Sequence, residues 1–283
     1  MDIKVDEIWE TAAKGRNEEA YGSPTTMNAV RLRHTLDILK KYPAGKLLDA
    51  GCGAGGTTSA VLKAGWQVEP IDYANNMVSE TNEHLKEEGF DNVTARQCSV
   101  TDLNLFGDGE FDAVICLGVM YYIEEDEKAY REFLRVLKPG GILLVSMQNE
   151  LFDMFTFNRY TRRFFKRHFF PLIDGGREEE LDGKLSALMT NPEAPAKHDT
   201  GSARDTVFTR QDVPMAYPSK LEAVGFETVS GPYYHGIHLA PPLLEADDPK
   251  LAEESREKQF DLAQDWRGMF NAAHFLYEFR KGA

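Results

Sequence analysis

A carboxylate followed by three alternating glycines is the part of the sequence best suited to chemistry. In the run from Lys46 to Gly55, an apolar segment ends at Asp49, and Gly51 and Gly53 precede the last glycine. Glycine has no Cβ, so such a loop can turn sharply and let its backbone lie against a ligand. A carboxylate at the head of the loop repels a phosphate and suits a cation. The run therefore predicts a site for a ligand that carries an ammonium group.

A second carboxylate stands where it can bind a ribose. Asp72 ends the next apolar run, about 20 positions past the glycines, where an acidic residue can accept both ribose hydroxyls. Tyr73 follows it, placed to lie along an adenine ring, and Met77 can cover the other side. The alternative is a surface aspartate that caps the next helix.

Together these features resemble the class I S-adenosylmethionine-dependent methyltransferases. In that family the loop Asp-x-Gly-x-Gly-x-Gly holds the methionine half of the cofactor. A nicotinamide-binding loop would read Gly-x-Gly-x-x-Gly, a spacing that Gly51, Gly53 and Gly56 also meet, so the acidic residue at the head of the loop carries the distinction. The run from Leu134 to Gly141 resembles the family's segment before the fifth strand. The resemblance covers residues 46–147 and the last two strands.

The resemblance implies further contacts with S-adenosylmethionine. After the third strand the family has an acidic residue that bonds the adenine amino group. Ser99 takes that position here and can accept the proton only through a weaker, uncharged bond, whereas Val100 offers its backbone. The backbone near Leu117, after the fourth strand, faces the methionine end. On the helix before the first strand, Arg33 is expected to pair with the cofactor carboxylate. The alternatives are that Arg31 does so, or that the side chain is only solvated at the surface.

Acceptor-binding and catalytic residues are expected near the site where the methyl group leaves the sulfur. Tyr121 and Tyr122 follow the fourth strand and either line that site or only pack. His235 or His238 is a candidate base in a loop rich in tyrosine and histidine, although either can be structural. The predicted catalytic residues are Tyr122, His235 and His238. The predicted acceptor contacts are Tyr21, Tyr121, Arg159, Tyr160 and Arg163.

Residues 152–170 combine seven phenylalanines with interleaved arginines and lysines. One hypothesis is a lid whose arginines pair with an anionic acceptor, because a guanidinium matches carboxylate and phosphate geometry. The alternative is an amphipathic helix that packs on the sheet with its basic side in water. Contact with RNA or a membrane is disfavoured by the formal net charge of −14.

Alternating strands and helices position these residues. Apolar runs between turn signals predict strands near 46–50, 67–71, 92–96, 111–117, 141–147, 226–229 and 272–279. Helical spacing predicts helices over 27–42, 56–64, 76–88, 126–138 and 211–224. Short connections imply parallel pairing, with a ligand beyond the carboxyl ends of the strands. The predicted fold is α/β, with a doubly wound, mostly parallel, Rossmann-like sheet of seven strands and an inserted helical or irregular cap.

The predicted organisation has three parts. Residues 1–45 form an N-terminal helical segment that covers the cofactor site. Residues 46–149 and 206–283 form the methyltransferase core, and residues 150–205 form an inserted substrate cap.

Composition excludes several classes of function. The sequence has no His-x-x-x-His or His-Glu-x-x-His metal motif and no Gly-x-Ser-x-Gly hydrolase elbow. Its three cysteines lack metal spacing and cannot make a disulfide framework, so a reducing compartment is expected. No apolar run approaches the ~18 residues of a membrane span, and no secretory signal is recognised. We therefore expect a cytoplasmic monomer or homodimer that contacts neither nucleic acid nor membrane.

The function predicted from the sequence is methyl transfer from S-adenosylmethionine to a small-molecule acceptor, leaving S-adenosylhomocysteine and needing no metal. The cap of about 55 residues is large enough to enclose a small ligand but small for docking a protein or a duplex. The expected reaction is O-methylation of a sugar-like or secondary metabolite by in-line displacement. One alternative is N-methylation of a small amine or amino acid. A second alternative is a non-catalytic module that only binds S-adenosylmethionine.

Overall fold

A twisted sheet of seven strands forms the centre of the protein. The computed structural model describes residue 23 and residues 26–173, 176–189 and 209–282, without the side chain of Leu243. The strands are β1 (Lys46–Ala50), β2 (Gln67–Asp72), β3 (Arg96–Gln97), β4 (Phe111–Cys116), β5 (Leu137–Gln148), β6 (Phe226–Ile237) and β7 (Ala272–Lys281). Their order is β3-β2-β1-β4-β5-β7-β6, and β7 is antiparallel to both of its neighbours. The predicted doubly wound, mostly parallel α/β fold is confirmed.

Helices cover the sheet and its carboxyl edge. In the described residues they are α1 (Met27–Leu39), α2 (Gly56–Lys63), α3 (Asn75–Glu87), α4 (Asp126–Val136), α5 (Phe152–Phe155), α6 (Arg159–His168), α7 (Glu178–Ala187), α8 (Tyr217–Glu222), α9 (Pro242–Asp247), α10 (Pro249–Glu257) and α11 (Gly268–Asn271). Thr26 caps α1, because its hydroxyl accepts a hydrogen bond from the Ala29 amide at 3.2 Å. Helix α4 buries Ala129, Phe133 and Val136 on one face, as its spacing predicts.

Two apolar clusters lie on opposite faces of the sheet. On one face, Ile38 and Leu39 of α1 pack with Leu47 of β1 and Ile115 of β4. The other face buries the stripe of α4 together with the aromatic residues of β7. Helix α1 is thereby fixed over the sheet, which brings the residues of its first two turns toward the carboxyl ends of β1 and β4.

The last third of the core differs from the prediction. A helix over 211–224 is wrong in extent: α8 begins only at Tyr217, because Asp212 instead forms a parallel bridge with Asn149 after β5. The sixth strand is much longer than 226–229 and reaches Ile237. It pairs with β7 along this length through register shifts between Thr228 and Tyr233. His235 therefore lies within a strand and not in a loop.

The N-terminal segment and the cap are described only in part. Of residues 1–45 the structure describes residue 23 and residues 26–45, which include α1, and Tyr21 lies outside the described residues. Of the predicted cap, the structure describes α5, α6 and α7, whereas residues 174–175 and 190–208 lie outside. Searching the described helices for an apolar length sufficient to cross a bilayer finds none.

Candidate cofactor and acceptor site

The glycine loop leaves β1 at the carboxyl edge of the sheet and turns into α2. Gly51, Gly53 and Gly55 have φ values of 97°, 56° and 88°, in the left-handed region. A Cβ at Gly51 would lie 2.2 Å from Cγ2 of Val119, so only glycine fits there. A Cβ at Gly53 would meet no atom within 4 Å, which leaves open space along that backbone. The backbone of this loop can therefore lie close to a ligand.

Asp49 is buried at the foot of this loop. Its Oδ2 accepts a hydrogen bond of 2.6 Å from the hydroxyl of Thr58, which stands in the first turns of α2. The pKa of Asp49 is raised to about 7: burial is the main cause and the negative charge of Asp72 adds to it, whereas the bond from Thr58 and the charge of Arg31 act against them. Because this pKa lies close to neutral pH, a cationic ligand beside Asp49 would favour the ionised form of the carboxyl.

Arg31, the alternative to Arg33, is the arginine that reaches the site. It is buried, and its Nη1 would lie 2.9 Å from a Cβ placed on Gly118, just after β4. Its Nη2 donates to Oδ1 of Asn28 at 2.8 Å. Arg33, which was predicted to pair with the cofactor carboxylate, is exposed, and its guanidinium lies 4.3 Å from the ring centre of Phe260. The helical repeat carries position 33 away from the face that covers the sheet.

Asp72 closes the other side of the glycine loop. Strand β2 lies beside β1, so both carboxylates stand at the same edge of the sheet. Oδ2 of Asp72 accepts from the Gly53 amide at 2.9 Å, and Oδ1 accepts from the Ala74 amide at 3.0 Å. Tyr73 is exposed beside it, whereas Met77 is buried on α3. The two acidic residues therefore bracket the open backbone at Gly53.

The remaining predicted cofactor residues lie along the neighbouring strand ends. Ser99 shares a hydrogen bond of 2.8 Å with the Thr101 hydroxyl, and Val100 is buried next to it. Leu117 is buried at the end of β4. The amide of Gly118 donates to Oγ of Ser146 on β5 at 2.9 Å, which ties the end of β4 to β5. The structure places these residues at the sheet edge occupied by Asp72.

Beyond Gly118 the sheet edge becomes aromatic and polar. Tyr121 and Tyr122 lie in a short 3-10 turn, with ring centres 4.4 Å apart. The ring of Tyr121 is also 5.9 Å from that of His274 on β7. Within the sheet His274 lies opposite both Gln148 of β5 and His235 of β6. These three side chains form a row across three strands, which we call the polar row (Gln148, His274 and His235).

The two predicted catalytic histidines have different surroundings. His235 is fully buried, its ring stacks at 5.6 Å on that of His274, and burial lowers its pKa well below the usual value. His238 follows β6 and holds Oε2 of Glu245 through Nδ1 at 2.7 Å. Burial opposes ionisation of Glu245, but the bonds from His238 and Ser255 lower its pKa. His238 is thus held in one orientation by a carboxylate, as catalytic imidazoles are.

Most of the basic residues of the cap form ion pairs with acidic side chains close to them. Arg163 donates to Oδ2 of Asp153 at 2.7 Å, and Arg159 donates to the hydroxyl of Tyr160 at 3.1 Å. An open groove of about 470 Å³ is lined by Arg159, Arg162, Arg163, Lys166 and Arg167. Asp153, Asp182 and Glu150 pair with four of these five cations. A role for this groove in binding the acceptor stays a prediction.

Sequence reasoning missed four residues of this region. Thr58, Gln148, His274 and Glu245 acquire their roles from contacts with distant parts of the chain. A weak signal existed for His274, since it interrupts the inward apolar pattern of the last strand. No group of three or more metal-ligating side chains exists among the described residues.

Known proteins resemble this chain over the region that carries the glycine loop. A family model described as a methyltransferase domain matches residues 48–145. The ubiquinone biosynthesis O-methyltransferase of Xanthomonas axonopodis pv. citri (strain 306) is 36% identical over 124 residues, which are 44% of this chain and 51% of the relative. The chain therefore spans about half the length of the curated relatives it matches.

Solved structures share the fold at low identity. The (4+2)-cyclase SpnF aligns with a TM-score of 0.58 and 18% identity, over 99% of this chain and 96% of its own. An S-adenosylmethionine-dependent methyltransferase from Mesorhizobium loti aligns with a TM-score of 0.51 and 17% identity, over 90% and 98% of the two chains. At this identity the likeness establishes the fold alone.

Proposed function

Residues 48–145 form a class I S-adenosylmethionine-dependent methyltransferase domain, and from this premise we propose that the protein transfers the cofactor's methyl group to a hydroxyl of a small-molecule acceptor. The observation that carries the proposal is the pair of carboxylates, Asp49 and Asp72, on the two sides of the open backbone at Gly53. That arrangement suits a ligand with an ammonium group at one end and a ribose at the other.

The residues fit the cofactor by their chemistry. Asp49, buried with a pKa of about 7, would meet the ammonium group, and Arg31 beside Gly118 would meet the carboxylate. Asp72 would accept the ribose hydroxyls. Ser99 and Val100 would contact the adenine. When bound, the cofactor supplies a methyl carbon that is already activated by the adjacent sulfonium.

The protein's main contribution is then alignment. Holding the acceptor oxygen in line with the methyl carbon and sulfur converts a bimolecular step into an effectively unimolecular one. A base is needed only where the acceptor must lose a proton during attack. Our candidate is His238, because Glu245 holds its Nδ1 and so fixes the tautomer of the ring. Tyr121 and Tyr122 would line the path of the acceptor.

Calorimetry with S-adenosylmethionine and S-adenosylhomocysteine tests the cofactor half of the proposal. Both ligands should bind with one molecule per chain. A screen of hydroxyl, carboxyl and amine acceptors with a radiolabelled methyl donor then tests transfer. Tight cofactor binding without transfer to any acceptor would favour the non-catalytic module, and transfer confined to amines would replace O-methylation by N-methylation. Absence of cofactor binding would end the proposal.

A further inference from the structure

Two buried side chains in the polar row have an atom without a hydrogen-bond partner among the described residues. They are Nε2 of His235, whose residue is 0% exposed, and Oε1 of Gln148, whose residue is 5% exposed. An unpaired buried polar atom costs about 1–3 kcal/mol, so native proteins rarely keep one without a use. Finding two in one row, at the edge that carries the cofactor site, indicates a ligand that pairs with them.

Both unpaired atoms are hydrogen-bond acceptors. Nδ1 of His235 lies 3.3 Å from the carbonyl oxygen of Tyr233, which can only accept. Nδ1 therefore carries the proton and Nε2 presents a lone pair. The carbonyl oxygen of the Gln148 side chain is an acceptor as well. A matching ligand must bring two donors to this row.

The polar row is connected to the cofactor site by a short series of contacts. Arg31 lies against Gly118, the Gly118 amide bonds Ser146, and Ser146 stands two positions before Gln148 on the same face of β5. From Gln148 the row continues through His274 to His235. The row thus begins next to the residues proposed to hold the methionine end of the cofactor.

The surroundings of the row disfavour a cationic ligand. Burial, His274, Arg31 and His34 all act to lower the pKa of His235, which means that each of them opposes a positive charge at that point. An ammonium group would lose its hydration there and would meet the charge of Arg31. A neutral hydroxyl carries the required donor without that cost.

We propose that Gln148 and His235 form the acceptor-recognition subsite, and that it selects an uncharged acceptor with two hydroxyl donors. This inference rests on the proposed function and deepens it by naming the class of acceptor. His274 lies between the two in the sheet and stacks on His235, which holds the spacing of the row. The acceptor hydroxyls bind to Oε1 and Nε2, which places one of them toward Tyr121 and the methyl group.

The first test measures stability and does not require a substrate. Gln148→Leu and His235→Phe each remove an unpaired acceptor, so the melting temperature should stay within about 2 °C of the wild type or rise. Asn149→Leu is the matched control, since the amide of Asn149 donates to the carbonyls of Met269 and Ala272 and its loss should lower the melting temperature by several degrees. A fall as large in Gln148→Leu as in Asn149→Leu would show a structural role and overturn the proposal.

The second test uses two fragments and saturation-transfer NMR, with S-adenosylhomocysteine present. Catechol has two neighbouring hydroxyls and no charge, whereas benzylamine is a cation of similar size. Catechol should receive saturation, its signal should fall by at least half in both variants, and benzylamine should receive none. A missing catechol signal, an equal signal in the variants, or a stronger signal for benzylamine would overturn the inference. Calorimetry on the same samples separates the two proposals, because failure to bind S-adenosylhomocysteine would refute the proposed function itself.

Discussion

Cofactor affinity should fall steeply as the pH is lowered, through protonation of Asp49. In the ligand-free protein, burial raises the pKa of this carboxyl to about 7. An ammonium group binds only the ionised form, so cofactor binding must drive off the proton wherever the pH lies below that value. From about pH 7.5 to about pH 5 the dissociation constant should rise about 80-fold, which is roughly 2 to 3 kcal/mol.

The number of protons released on cofactor binding can be measured. At about pH 6, calorimetry in two buffers of different ionisation enthalpy should show release of about 0.9 proton per cofactor bound. Work above about pH 8 is avoided, because the cofactor's own amino group begins to lose its charge there. Asp49→Asn should bind more weakly and lose both the pH slope and the proton release. Asp265→Asn is the control, since the pKa of Asp265 is lowered to about 2 by Arg267 and stays outside the range.

The stability of the ligand-free protein is an independent check, because it should fall as the pH rises, whereas cofactor affinity should increase. A carboxyl whose pKa is raised by folding destabilises the native state as the pH rises from about 4 to about 7. The ionised Asp49 therefore costs up to about 4 kcal/mol above pH 7 in the ligand-free protein. Asp49→Asn should raise the free energy of unfolding there by a large part of this amount, with the bond from Thr58 kept by the amide oxygen. An unchanged pH slope of binding in Asp49→Asn would refute the reasoning.

Three further predictions concern the same edge of the sheet. Gly51→Ala should abolish measurable cofactor binding and lower the melting temperature, because the new Cβ would lie 2.2 Å from Val119. Gly53→Ala should cost only about 1–2 kcal/mol of backbone strain, because its Cβ would have no atom within 4 Å. Differential scanning fluorimetry compares the two variants, and equal losses of melting temperature would contradict this. Asp72→Ala should weaken cofactor binding by roughly 1.5–3 kcal/mol by calorimetry, and unchanged affinity would remove its assignment to the ribose. In His235→Phe the free energy of unfolding should fall less steeply than in the wild type as the pH drops below about 6.5, because a histidine that folding keeps neutral takes up its proton only on unfolding. Urea denaturation at several pH values measures this free energy. The same pH dependence as in the wild type would assign the acid sensitivity to other groups.

The features that could be predicted from the sequence are those determined by contiguous residues. The loop from Asp49 to Gly55 and the carboxylate at Asp72 each lie in one short run, and parallel pairing of β1 with β2 was enough to bring them together. The strands and helices up to β5 follow from local periodicity for the same reason, except the third strand, which was expected near 92–96 and forms only at Arg96–Gln97. Choosing between Arg31 and Arg33 needed the rotation of α1 about its axis, which the packing of Ile38 and Leu39 on the sheet decides.

The acceptor side of the site was harder to predict because it depends on pairing between distant strands. Gly231 and Pro232 stand just before the run from Tyr233 to His238 and are turn signals, so the local sequence favoured an end of the strand near Val229. Its extended form is imposed by β7, which lies about forty residues later and pairs with it through an irregular register. Only that pairing aligns His235 with His274, and only the pairing of β7 with β5 brings Gln148 into the same row. The cofactor loop lies within one segment of the sequence, whereas the proposed acceptor subsite forms only once β5, β7 and β6 have paired.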